Sequence, residues 1–115
     1  MKGQWINIYS GDLPLRSWWV DSGNECEFIS IVLPEVFGIN NWIRSFSEKL
    51  AAQNLPVLAI PLYGRTAPNL DLGYSEEDLK LGRHHKNLTT LKNIIEDVSA
   101  AINWVQEKYP KKKIS

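Results

Sequence analysis

Cysteine is almost absent from this sequence. Cys26 is the one thiol in 115 residues, which excludes an intrachain disulfide and the stapled scaffold of a small secreted protein. Long apolar runs are missing as well: none approaches the roughly 20 residues that span a bilayer. The start, Met1 to Ser10, interrupts its apolar residues with Lys2, Gln4 and Asn7, unlike the continuous apolar core of a signal peptide. Nor is there an excess of charge of either sign. Thirteen Lys and Arg balance thirteen Asp and Glu, so no net field draws the chain to phosphate backbones or anionic lipid. The one basic cluster, Lys111-Lys112-Lys113, follows Tyr109-Pro110 and reads as a solvated turn. Together these absences predict a cytoplasmic chain with neither nucleic acid nor membrane as partner. No internal repeat or low-complexity segment is evident, and the length suits a single domain over residues 1–115.

What is present alternates strands with helices. Gln4 to Tyr9 and Leu13 to Val20 are rich in aromatic and branched residues and are separated by Ser10-Gly11-Asp12, so they predict an N-terminal hairpin. Asp21-Ser22-Gly23-Asn24 breaks the pattern. Phe28 to Leu33 is then nearly all apolar, which predicts a central strand buried on both faces in a mostly parallel sheet. Ile39, Trp42, Ile43, Phe46 and Leu50 recur at three- and four-residue spacing and predict an amphipathic helix to about Asn54, followed by a strand from Pro56 to Ile60. Strand, helix, strand is a βαβ unit. Pro61 to Tyr74 reads as a loop long enough to carry function. Ser75-Glu76-Glu77-Asp78 has capping-box form and predicts a short helix through Leu81. A longer helix with an apolar stripe of Leu88, Leu91, Ile94, Ile95, Val98, Ala101, Ile102 and Val105 should end before Pro110. The fold class is α/β, with a three-layer α/β/α arrangement.

Ligands of open parallel sheets bind at the carboxyl ends of strands, which directs attention to the loops at Pro34 to Gly38 and Pro61 to Pro68. Other chemistry-bearing residues have ordinary readings. Gly73-Tyr74-Ser75 begins like a G-x-S-x-G nucleophile turn but lacks the second glycine and opens a helix, so Ser75 reads as a cap. Cys26 precedes its strand, at the end of the sheet away from ligands, and reads as a small edge or core residue. His84 and His85 are adjacent, so they point to different faces of a helix and cannot chelate one ion as an i, i+4 pair would. No metal or cofactor is expected. The five tryptophans read as core and strand-face residues, with Trp42 near enough to the Glu35 loop to line a pocket.

Pro34-Glu35-Val36-Phe37-Gly38-Ile39-Asn40 is similar to the glutamate-apolar-Phe-Gly-apolar-Asn segment of dienelactone hydrolases. Pro61-Leu62-Tyr63-Gly64-Arg65-Thr66-Ala67-Pro68 resembles the Leu-Tyr-x-Arg-x-Ala-Pro segment of the same family, and Gly73-Tyr74-Ser75-Glu76-Glu77-Asp78-Leu79 with Gly82-Arg83 resembles a third. Three segments in order make the likeness specific from about Phe28 onward and loose over the hairpin. The resemblance implies the N-terminal half of an α/β-hydrolase fold, truncated before the nucleophile strand, and an enzyme that cleaves esters or lactones. It implies that Val36 supplies one backbone N–H of the oxyanion hole, that Glu35 holds the resting nucleophile's proton, and that Arg65 binds a substrate carboxylate. Half-burial in an apolar loop is expected to favour protonation of Glu35. Taken alone, Glu35 also fits an acidic residue beside a helix N-terminus, and Arg65 a solvated loop charge. No G-x-C-x-G or G-x-S-x-G occurs in these residues. The expectation is therefore a chain inactive by itself, whose β-sheet edge beside Phe28 to Leu33 is open to a separate C-terminal half or to self-association. The alternative is a non-catalytic binding or interaction module that keeps the pocket loops.

Overall fold

Gly11 has a φ of 63° and stands first in the two-residue connection Gly11-Asp12, where a type II′ hairpin turn needs a residue free to adopt positive φ. It joins strands β1 (Gln4–Ser10) and β2 (Leu13–Val20), which pair antiparallel from Gln4↔Trp19 to Ser10↔Leu13. The remaining elements of the computed structural model, which describes residues 2–23 and 25–115, are β3 (Phe28–Val32), α1 (Asn41–Ala52), β4 (Val57–Ala59), α2 (Glu76–Leu88), α3 (Leu91–Lys108) and β5 (Lys113–Ile114). The Asn24 end of the predicted break between β2 and β3 lies outside the described residues.

The sheet order is β1-β2-β4-β3-β5. β4 pairs antiparallel with β2 and parallel with β3, so the expected βαβ unit places its two strands side by side. β5 adds to the other edge of β3, also in parallel, through Phe28↔Lys113 and Ile29↔Ile114. Residues of β4 alternate between two cores, as a pleated strand requires. Leu58 joins Ile8, Leu15, Trp19 and Ile29 in a cluster closed by Ala101 and Val105 of α3. Val57 and Ala59, also fully buried, face the opposite way, where α1 packs on β4. Helices therefore cover both faces of the sheet, the three-layer α/β arrangement expected from the sequence.

Five expectations need correction. β3 is buried at Ile29 and Ser30, but Phe28 is 40% exposed although it pairs with Lys113, and Leu33, past the last residue that β5 flanks, is 48% exposed. On α1 the buried positions are Ser47 and Ala51, small residues that let the helix approach the sheet, while Trp42 and Phe46 face outward. α2 does not stop at Leu81 but runs to Leu88, and α3 begins afresh at the Thr90 cap, whose hydroxyl accepts the Asn93 N–H at 3.1 Å. Leu88, Leu91 and Ile95 of the expected stripe are exposed. The lysine cluster is only partly a solvated turn: Lys112 lies 3.0 Å from Glu25, Lys113 lies 3.4 Å from Glu27, and Lys113 opens β5.

Candidate functional site

The chain leaves β3 into a tight turn in which the Gly38 N–H donates to the Glu35 carbonyl at 3.1 Å, placing Val36 and Phe37 at its centre. Gly38 has a φ of 77° and lies against the backbone of Leu70, so that a Cβ there would collide with the Leu70 carbonyl. The loop after β4 grips the same turn from the side: Gly38 bridges Asp71, and the Leu72 N–H donates to the Phe37 carbonyl at 2.9 Å. Asn40, 4% exposed, completes the clasp. Its carbonyl oxygen caps α1 by accepting the Ile43 N–H at 3.1 Å, and its amide donates to the Leu72 carbonyl at 3.0 Å and the Tyr74 hydroxyl at 3.1 Å. From above, α2 presses Gly82 onto the Val36 carbonyl, leaving no room for a Cβ.

So held, the Val36 N–H donates to no protein acceptor among the described residues. Such a donor, fixed by three surrounding segments rather than by a bond of its own, is available to an incoming oxygen. Glu35 is exposed rather than half-buried, because its neighbours Pro34 and Gly38 take the buried places of the loop. Its carboxylate is close enough to Tyr63 to act on it. Burial first, and the Glu35 charge second, raise the Tyr63 phenol above its ordinary value near 10.

Glu35 and Trp42 line one cavity of about 330 Å³, together with Leu33, Phe37, Phe46 and Tyr74. Trp42 and Phe46, one helical turn apart, stack with centroids 5.2 Å apart and planes 8° from parallel. Phe37 meets Tyr74 edge-on at 4.6 Å. The cavity opens at the carboxyl end of β3, where sheet folds of this class place their ligands.

Arg65 is not brought to this cavity. Its Nη2 donates to Oδ1 of Asp97 at 2.9 Å and to Oε2 of Glu96 at 3.0 Å, both on α3. Of the four residues singled out from the sequence, Glu35 and Trp42 thus line one cavity at the end of β3, Val36 stands next to Glu35 in the turn without lining it, and Arg65 ties the β4–α2 loop to α3. Tyr63, Tyr74, Gly82 and Asp97 were missed. Tyr63, Tyr74 and Gly82 stood in the motif segments without a role of their own, and Asp97 carried no signal.

The residues with ordinary readings keep them. The Ser75 hydroxyl caps α2, accepting the Asp78 N–H at 3.1 Å. Cys26 is half-buried against the core. His84 is exposed, and His85 Nδ1 lies 2.9 Å from the Thr66 hydroxyl. Among the described residues no helix is long and apolar enough to cross a membrane.

Comparison with known proteins converges on one family. The model of the dienelactone hydrolase family matches residues 24–115, the stretch that carries the three motif segments and not the hairpin. A Synechocystis sp. protein provisionally named carboxymethylenebutenolidase is 35% identical over 78 residues, 68% of this chain and 32% of that protein, so the chain spans about a third of the curated relative's length. A crystal structure provisionally assigned as a dienelactone hydrolase from Klebsiella pneumoniae superposes with a TM-score of 0.74 at 18% identity, over 91% of this chain and 43% of that one. An alpha-beta serine hydrolase homologue from Coxiella burnetii gives 0.65 at 16% identity, over 99% of this chain and 50% of that one. These two show the same α/β-hydrolase fold. With the family model covering β3 to β5 and the pocket loops alike, the chain belongs to the dienelactone hydrolase family.

Proposed function

We propose that these residues form one half of the active site of an ester or lactone hydrolase that works through a covalent acyl-enzyme. The observation that carries this reading is the Val36 N–H, a donor without a protein acceptor among the described residues, in a turn whose flanking residues Glu35 and Phe37 line the cavity at the end of β3. Attack of a nucleophile on an ester carbonyl places negative charge on the carbonyl oxygen, and a positioned N–H stabilises that charge more than it does the ground-state carbonyl. Collapse expels the alcohol as alkoxide, which takes up a proton, and water then cleaves the acyl-enzyme. In this reading Glu35 holds the proton of the resting nucleophile, a role its exposed position at the cavity wall permits. Arg65 acts indirectly, by fixing the loop that grips the Glu35–Gly38 turn.

The nucleophile, its histidine and its carboxylate are not among these 115 residues in any recognisable elbow motif. Removing triad members costs roughly 10⁴ to 10⁶ in rate, so the chain by itself is proposed to be inactive. β5 begins alongside Phe28 and Ile29 and points toward the cavity end of β3, the direction from which a nucleophile on a following turn would arrive.

The experiment is reconstitution. Mixed with a separately expressed C-terminal half of a dienelactone hydrolase, the chain should hydrolyse p-nitrophenyl acetate faster than either part alone. A rate no higher than that of the parts would count against the hydrolase reading and favour a binding module.

A further inference from the structure

The Glu35 cavity carries a charge pattern that bears on its substrate, and the inference rests on the ester-hydrolase reading above. We propose that the cavity accepts an uncharged, flat apolar acyl group and discriminates against a carboxylate-bearing one.

Charge supplies the first half of the case. Glu35 is the one carboxylate among the residues that line the cavity, and no Lys, Arg or His is among them. Two arginines on the flanking elements are committed elsewhere: Arg65 to Asp97 and Glu96, and Arg44 to the Ile39 carbonyl at 2.8 Å and to Asp71 at 2.9 Å. Asn40, the amide in the cavity wall, has both its donors taken by Leu72 and Tyr74 and its oxygen by Ile43. A ligand carboxylate would give up water for a site that offers it no cation and places it beside another carboxylate, which is unfavourable on both counts.

The apolar lining supplies the second half. Trp42 and Tyr74 are 57% and 63% exposed, and Leu33 and Phe46 are 48% and 37% exposed. All four border the one cavity. Large aromatic faces left in water gather apolar surface, and here they form flat walls rather than a cage, since Trp42 and Phe46 are stacked parallel on each other. A volume of about 330 Å³ stands at the lower end of the range for small-molecule sites, enough for an acyl group built on a single ring. A flat uncharged group covers these faces without meeting Glu35 as an adversary.

The test uses the chain itself and needs no turnover, so it is independent of the hydrolase reading. Methyl cinnamate, cinnamate and cinnamylammonium share one flat skeleton and differ in charge. In amide and indole NMR titrations, methyl cinnamate should shift the Trp42 Nε1–H and the Val36 and Gly38 amides, with cinnamate weaker by about fivefold or more, the scale of one like charge in a partly hydrated site. Trp42→Ala should abolish the response while the amide signals of α3 stay in place, which shows the fold intact. Glu35→Gln should narrow the gap between methyl cinnamate and cinnamate, a change that a purely structural role for Glu35 would not produce. Cinnamate binding as tightly as methyl cinnamate or as cinnamylammonium, whose charge Glu35 does not repel, or no response to any of the three, would overturn the proposal. Selective binding without reconstituted hydrolysis would leave the proposal standing and remove the enzyme reading; hydrolysis with a preference for anionic acyl groups would do the reverse.

Discussion

The Arg65 guanidinium lies 2.9 Å from Oδ1 of Asp97, whose side chain is 1% exposed. Arg65 Nε and Asp97 Oδ2 are both buried without a hydrogen-bond partner among the described residues, so the pair is held by one strong contact and not by a full fork. Such a pair adds little over an apolar replacement of both partners, but removing one strands the other.

Arg65→Ala is accordingly expected to lower stability by about 3 kcal/mol, the low end for breaking a buried ion pair. Urea unfolding measures it. Arg65→Lys should recover part of the loss, because a lysine can still place a charge near Oδ1 but not a planar fork. An unchanged urea midpoint would return Arg65 to the status of a solvated loop charge.

Gly82→Ala tests the pressure of α2 on the Glu35–Gly38 turn. The added methyl would meet the Val36 carbonyl, and overpacking of this kind costs about 1–3 kcal/mol. The Val36 amide should move in the NMR spectrum of the variant while β1 and β2 signals remain. An unmoved Val36 amide would mean that α2 can yield without disturbing the turn.

Tyr63 and Tyr109 give the fold an alkaline limit. Burial, then Glu35, raises Tyr63; burial, then Asp21, raises Tyr109. A folded-state value above the unfolded one means that the unfolded chain loses its phenolic protons first. Stability is then retained below about pH 10 and falls as pH rises from there through the folded-state values. Urea midpoints taken across that window should decline, and Tyr63→Phe should make the decline shallower. A slope identical to that of the native chain would show that Tyr63 does not contribute.

The edge of β3 offers a fourth check. The Ile31 N–H reaches the Ser115 carbonyl at 2.9 Å, and no described strand pairs with the edge beyond it, up to the exposed Leu33. Exposed edges of this kind pair with other chains. Sedimentation of the chain should show a mass that rises with concentration, and Leu33→Lys should suppress the rise, as edge lysines do. A monomer at all concentrations would contradict it.

Local signals were readable from the sequence, and distant pairings were not. The hairpin followed from Gly11, and the strands β3 and β4 from apolar runs. Glu35 and Trp42 were placed together because they stand seven positions apart and one turn fixes both. The partner of Arg65 was hidden: Asp97 lies 32 residues away in a helix, where an acidic residue reads as part of the solvated face. The exposure of Trp42 and Phe46 was hidden for a similar reason, since their spacing matches a buried stripe while the packing chose the small residues Ser47 and Ala51. Tyr63 stood in a motif segment, but its setting beside Glu35 was hidden, because it comes from the convergence of two loops.

The central claim is that the Val36 N–H stabilises the developing oxyanion, and Val36→Pro in the reconstituted enzyme tests it most directly. Proline suits the second position of the Glu35–Gly38 turn and removes the donor while keeping an apolar side chain of similar size. The account predicts a fall in kcat of about 100- to 1000-fold with little change in KM and in thermal stability. A kcat close to that of the unsubstituted enzyme would contradict it.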